Sequence, residues 1–249
     1  MFSPGLSLLL LLLLGWLLQA QPTAEEIVKR ADDKVRGKTN QAEMVMRIVR
    51  PTWQREIGLK SWAKGTDLGM VLVTSPARDK GTAFLKRKRE VWNWQPSIDR
   101  TIKLPPSMML QSWMGSDFTN DDLVKESSMV EDYEHTLAGD TLIDGRSCYR
   151  IVMLPKEEAA VVWGKVINYI DKKDYLQLLV FFYDESGELV NTMRGSDIRL
   201  LGGRLLPARM EMTPADNPKN HTIIEYRSLT FDVPLEEGFF SVQNLKRVR

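Results

Sequence analysis

The residues able to do covalent or metal chemistry are few and scattered along this chain. It has two histidines, His135 and His221, and one cysteine, Cys148, in 249 residues. Neither histidine has a second His or Cys at the short spacing that holds zinc, so each reads as a surface or strand residue. Gly145-Arg146-Ser147-Cys148 contains nucleophile types, but the preceding Asp144-Gly145 is a hairpin-turn signal. There is no G-x-S-x-G elbow, no P-loop and no G-x-G-x-x-G. Asp117, Asn120, Asp121 and Asp122 form an acidic knot without calcium-loop spacing, and capping of a following helix accounts for it. Paired carboxylates could serve as acid and base in a sugar hydrolase, but nothing in the order of residues sets two of them across a cleft. The expectation is a protein that is not an enzyme and uses no metal or cofactor.

What the chain does concentrate is soft apolar surface. From Pro105 to Phe118, Met108, Met109, Leu110, Trp113, Met114 and Phe118 fall in one short segment. Its double proline, Pro105-Pro106, excludes an ordinary central strand. Methionine is flexible and polarisable and suits partners of variable shape. Over a β scaffold the segment reads as an adaptable lining or lid; ordinary core packing is the alternative. Trp92 and Trp94 share one strand face, as a carbohydrate platform, the wall of a greasy cavity or a half-buried sheet face.

Composition narrows the setting. Residues Leu8 to Leu14 are an unbroken leucine run, extended by Gly15 to Leu18, with Ala20 at a plausible cut. This predicts a cleavable secretory signal peptide over residues 1–20, the rival being an uncleaved membrane anchor. The expected compartment is periplasmic. A single cysteine far from the leader rules out an internal disulfide and gives no lipid-attachment site, so residues 21–249 must fold on their core, as one domain. The 34 basic and 33 acidic residues nearly balance, which argues against nucleic acid as partner. Two local basic runs, Lys86 to Arg89 and Lys246 to Arg249, read as solvated turn and tail or as contacts with anionic headgroups.

The elements that must position these residues follow from periodicity. Thr23 and Glu26 form a capping box ahead of Ala24, Ile27, Val28, Ala31 and Val35 at helical spacing, and Gly37 ends that helix. Short alternating runs separated by turn residues then indicate an antiparallel meander: 44–49, 56–60, 68–74, 82–86, 91–95 and 100–104. Segment 105–128 breaks the rhythm as a loop plus a short helix capped by Thr119. Strands resume over 133–137, 141–143, 147–154, 161–170, 176–183, 189–198, 205–212 and 222–231. The expected class is mainly β with helices, a curved sheet with helices against its concave side.

The stretch from Trp92 to Ser127, with Ala160 to Val166 (AVVWGKV) and the ending Phe239 to Arg249 (FFSVQNLKRVR), resembles outer-membrane lipoprotein-sorting proteins of the LolA/LolB-like superfamily, in a branch of larger bacterial members. The resemblance implies an incomplete antiparallel β-barrel with helices covering its open side. It also implies a carrier of lipoprotein acyl chains or other lipid, loaded by an inner-membrane transporter of ABC type and unloaded to an outer-membrane acceptor. On that reading the lid is Met108, Met109, Leu110, Trp113, Met114 and Phe118. The cavity wall is Met44, Met46, Ile57, Leu59, Trp92 and Trp94, a set that a one-residue register slip would invert. The rivals are an accessory or scaffold subunit of an envelope transporter and a hydrolase.

Overall fold

The structure, a computed structural model, describes residues 21–125 and 129–248. The expected signal peptide, the expected helical ending at Ser127 and Ser128, and Arg249 lie outside the described residues.

Helix α1 (Ala24–Arg36) forms where its caps and apolar stripe require it. Thr23 Oγ1 accepts from the Glu26 amide at 3.2 Å while Glu26 Oε2 accepts from the Thr23 amide at 2.9 Å. Ile27, Val28 and Ala31 are fully buried. Burying side chains of this size stabilises by about 1.5–3 kcal/mol each for Ile and Val, and the surface they bury against is the inner face of the sheet.

That sheet has 13 strands: β1 (Thr39–Arg50), β2 (Trp53–Lys64), β3 (Leu68–Ser75), β4 (Ala83–Arg87), β5 (Glu90–Gln95), β6 (Arg100–Leu104), β7 (Tyr133–Ile143), β8 (Arg146–Pro155), β9 (Lys165–Asp171), β10 (Gln177–Tyr183), β11 (Leu189–Leu201), β12 (Arg204–Pro214) and β13 (His221–Phe231). All pairings are antiparallel, in the order β6-β5-β4-β3-β2-β1-β13-β12-β11-β10-β9-β8-β7. The chain enters at the middle of the sheet with β1 and walks to one edge at β6. It then crosses to the other edge at β7 and walks back to β13 beside β1. The sheet does not close on itself, because β6 and β7 are not paired with each other. The crossing segment, 105–132, is the one that contains the Met/Trp cluster.

Period-two alternation gives the sheet two buried faces. The inner face carries Met46, Ile48, Ile57, Leu59, Val73, Phe84, Val91, Ile151, Met153, Val166, Ile170, Val180 and Phe182, packed with α1 and with Met109, Trp113 and Phe118 of the crossing segment. On the outer face of β2–β5, Trp62, Met70, Leu72, Leu85 and Trp94 lie under the C-terminal segment through Phe240, Leu245 and Val248. Short helix α2 (Val242–Leu245) belongs to that segment. Phe239 meets Trp62 edge-on at 5.5 Å, and the Arg87 guanidinium donates to the Phe240 carbonyl at 3.0 Å.

This second face moves two residues from where the sequence placed them. Val91 and Asn93 take the inner positions of β5, so Trp92 and Trp94 point outward, beneath the C-terminal segment and not onto the cavity wall. The tail supplies an apolar cover that no local pattern in β5 announces. Lys246 sits over the Trp94 ring at 4.7 Å and Lys103 over Trp92 at 5.6 Å. Elsewhere the pairing lengthens the expected strands. The expected 133–137 and 141–143 merge into β7 through a register shift between Leu137 and Asp140, and β9 starts at Lys165 rather than at residue 161. Asp144 and Gly145 both have positive φ, as a two-residue hairpin turn demands.

Phe240 is fully buried in the outer cluster. Phe240→Ala is expected to cost about 3–5 kcal/mol, read as a lower urea midpoint. Leu200→Ser, at a residue 71% exposed, should leave the midpoint within about 0.5 kcal/mol of the parent.

Candidate functional site

Between the inner face, α1 and the crossing segment lies a cavity of 320 Å³. Its wall is mostly apolar. Met44, Met193, Met210 and Met212 line it from β1, β11 and β12, with Leu59, Val71, Phe84, Val180, Phe182 and Ile224 from neighbouring strands. Gly195 of β11 stands in the same wall, where a Cβ would come within 2.6 Å of the Gln177 carbonyl oxygen. At one end Val35 and Gly65, both exposed, form part of the lining, so the cavity opens there between the last turn of α1 and the β2–β3 turn.

The other end is closed by the crossing segment, which folds back on itself. Trp113 and Phe118 both line the cavity. Trp113 is 1% exposed and its ring lies 5.4 Å from Phe84. The Trp113 amide donates to the Phe118 carbonyl at 2.8 Å, and the amides of Asn120 and Asp121 donate back to Gln111 and Met109. The reversal is a tight turn in which Met114 (φ 52°) and Gly115 (φ 81°) are both left-handed, with the Ser116 amide on the Trp113 carbonyl at 3.0 Å. Glycine accepts that conformation freely, whereas Met114 is held there at about 1–2 kcal/mol.

Polar contacts fasten this cover to the sheet. The Arg50 guanidinium grips both Asp117 carboxylate oxygens at 3.0 Å and donates to the Gly115 carbonyl at 3.1 Å. The ion pair is largely buried, at 14% and 7% side-chain exposure. Thr222 Oγ1 donates to Asp117 Oδ2 at 2.6 Å and accepts from the Asp117 amide at 3.0 Å. Asn191 donates to the Asp117 carbonyl at 3.3 Å, and Arg55 to the Met114 carbonyl at 3.4 Å.

Past the cover, Asp121–Lys125 forms a short turn of π-helix capped as the sequence predicts: Thr119 Oγ1 accepts from the Asp122 amide at 3.1 Å. Asp121 and Asp122 both line the cavity. Asp122 is fully engaged, with Oδ2 accepting from the Thr119 amide at 2.8 Å and Oδ1 from the Trp163 indole at 3.0 Å. Burial raises its pKa above the ordinary carboxylate value, against those hydrogen bonds. Burial likewise raises Tyr133, beside the same carboxylates. Burial is also the leading cause of the raised Cys148 pKa, which fits an inert thiol. Among the described residues no group of His, Cys, Asp and Glu is arranged to hold a metal ion.

The twelve residues singled out from sequence separate into four places. Met44, Leu59, Trp113 and Phe118 line the cavity. Met46, Ile57 and Met109 are buried in the inner core beside it, with Met114 packed against them. Met108 is half-buried on the cover and Leu110 is 61% exposed, on its outer side. Trp92 and Trp94 are on the outer face. Sequence reasoning missed Met193, Met210 and Met212. The signal existed in Arg209-Met210-Glu211-Met212, where the alternate residues Arg209 and Glu211 pair on the outer side at 2.7 Å.

A family model described only as an uncharacterized protein matches residues 65–247. The chain belongs to that family. Three solved structures share its fold. A DUF1329 family protein from Desulfovibrio piger superposes with a TM-score of 0.81 at 23% identity, over 89% of this chain and 97% of its own. An outer membrane lipoprotein-sorting protein domain from Vibrio parahaemolyticus gives 0.79 at 24% identity, over 90% and 98%. A LolA superfamily protein from Nitrosomonas europaea gives 0.79 at 22% identity, over 90% and 100%. No curated protein matches the chain. The fold is thus the one these structures share, LolA-like, an incomplete antiparallel barrel with helical cover. Among the described residues no helix is long and apolar enough to cross a membrane.

Arg50→Met should release the cover at about 2–4 kcal/mol. Hydrogen exchange at the Trp113, Asn120 and Asp121 amides should then accelerate about 30- to 1,000-fold, with β1–β2 amides unchanged. Because folding raises the Asp122 pKa, the folded state takes up this proton first as pH falls from neutral toward 4. The wild type should therefore gain stability relative to Asp122→Asn over that interval, measured as the difference in their unfolding temperatures against pH.

Proposed function

We propose that this protein is a periplasmic carrier that shelters the acyl chains of lipoproteins, or of another lipid, while they pass from an inner-membrane transporter to an outer-membrane acceptor. One observation carries the reading: a methionine-lined apolar cavity, open at one end and closed at the other by a cover that polar contacts hold in place. Each acyl methylene left in water costs about 0.8 kcal/mol, so an aqueous gap is a barrier that such a cavity lowers. Methionine walls pack adaptably, which suits chains of varied length and permits release. The shared fold with a lipoprotein-sorting domain agrees with this use.

The volume sets a condition on the mechanism. At 320 Å³ the cavity lies at the low end of the ~300–1,000 Å³ typical of small-ligand sites. It accommodates part of one chain as it stands, and a multi-chain cargo requires the cover to move. The contacts that fasten the cover are ones water can replace, so displacement exposes Arg50 and Asp117 to solvent without stranding a buried charge. Catalysis is not part of the proposal, since both oxygens of Asp122 serve the local fold.

Lipid extracted from the periplasmic protein and identified by mass spectrometry should contain acyl chains in stoichiometric amount. Ser61 lines the cavity, and Ser61→Phe should reduce uptake of a fluorescent fatty acid more than ten-fold while the unfolding midpoint stays within about 1–3 kcal/mol of the parent. A parent protein that takes up no fatty acid and carries no lipid would refute the carrier.

A further inference from the structure

We infer that the end of the molecule where the cavity opens is a docking face for an anionic bilayer surface, with Lys38, Lys88 and Arg89 meeting headgroup phosphates around the mouth. The basic run 86–89, one feature in the sequence, is divided by the strand. Lys86 turns inward and lines the cavity, Arg87 turns outward and donates to the Phe240 carbonyl at 3.0 Å, and Lys88 and Arg89 form the exposed β4–β5 turn. This turn stands at the mouth. The Lys88 amide donates to the Asp67 carbonyl at 2.6 Å, next to Gly65 and Thr66 of the lining. On the same rim the Gly65 amide donates to the Lys38 carbonyl at 3.0 Å, which brings in a third exposed cation from the end of α1.

The local balance favours an anionic partner. Asp32 at the mouth is held by Arg36 at 3.0 Å, and Glu90 is paired with Lys103. Asp67 on the two facing turns and the exposed Asp232, whose amide donates to the Thr39 carbonyl at 2.9 Å, stand against Lys38, Lys88 and Arg89, which leaves an excess of one cation. Lys88 also occupies a left-handed conformation, φ 56°, where Gly or Asn would fit with less strain. A lysine kept against that preference is the kind of local cost that accompanies a surface role. Val35, 38% exposed at the same rim, offers an apolar contact between the cations. Lys and Arg stems reach from such a rim to phosphates, and cations near an anionic leaflet act additively. The choice of a bilayer over an acidic protein rests on the carrier reading, because cargo drawn from a membrane must enter by the mouth.

Flotation with phosphatidylcholine vesicles, with and without phosphatidylglycerol, tests this. The wild type should bind the anionic vesicles and not the zwitterionic ones, and added salt should weaken binding. Lys38→Ser/Lys88→Gly/Arg89→Ser should bind about a hundred-fold more weakly, at roughly five-fold per charge. Its unfolding temperature should be equal or higher, since glycine relieves the strained position. Lys219→Ser, in the β12–β13 turn at the far end, should bind like the wild type. Equal binding to both vesicle types, no binding, or unchanged binding by the triple variant overturns the inference. Fatty-acid uptake by the same proteins separates the two readings: uptake without vesicle binding sinks the docking face and leaves the carrier standing, and vesicle binding without uptake does the reverse.

Discussion

An antiparallel sheet that curls without closing leaves two problems: a pair of unpaired edges and an apolar inner face. In this protein one stretch of chain addresses the second while joining the first. The edges are β6 and β7, and residues 105–132 run between them. The connection therefore has to pass over the open side of the sheet, and its Met109, Trp113 and Phe118 pack onto the inner face as it does so. Had β6 and β7 paired, the sheet would be a closed barrel of 13 strands with continuous ladder hydrogen bonds around it. Because a loop replaces those ladder hydrogen bonds, the closing surface is made of side chains and turns, which can rearrange without breaking the sheet.

The two faces of the sheet show what this choice costs and permits. On the outer face, Phe240, Leu245 and Val248 pack against Trp62 and Trp94 as core. The inner face is covered twice, by α1 toward β7 and β9 and by the crossing segment toward β3–β5. These covers meet imperfectly, and the space left between them is walled by flexible methionines of β1, β11 and β12. A rigid aromatic or branched lining would either fill such a gap or fix its shape. A hollow lined by methionine keeps both options open.

The architecture was legible in the sequence because alternation, turns and caps are local. Thr23, Glu26 and Gly37 bounded α1, and Asp144-Gly145 marked its hairpin. The alternation that places Met44, Met46, Ile57 and Leu59 on one side was also legible, with charged pairs flanking it on the other, Glu43 with Lys60 and Arg47 with Glu56, while Val45 and Gly58 between them add no sign. Trp92 and Trp94 were not, because both faces of β5 are buried and alternation then carries no sign. What covers their face is a tail some 150 residues away in the chain. The grip of Arg50 on Asp117 was equally hidden. It joins the end of β1 to the cover across 67 positions, and no spacing rule links a strand-end arginine to an aspartate in a distant loop.

The closed cover is held by strong contacts and burdened by weak points, and the balance between them decides how it behaves. In its favour are the bidentate Arg50–Asp117 pair, the Thr222 hydroxyl and the burial of Trp113. Against it, Met114 holds a left-handed conformation and the Trp113 indole N–H is buried with no acceptor among the described residues. Those two features cost about 1–2 kcal/mol and 1–3 kcal/mol respectively. A cover selected only for stability would place Asn or Gly at residue 114 and an acceptor, or a phenylalanine, at residue 113. Retaining both costs narrows the gap between the closed state and one in which the turn relaxes and the indole is hydrated. A gap of a few kcal/mol is the range in which a ligand with differential affinity can move such an equilibrium, so the local strain of the cover and the adaptable wall both lower the cost of rearranging the closed end of the cavity.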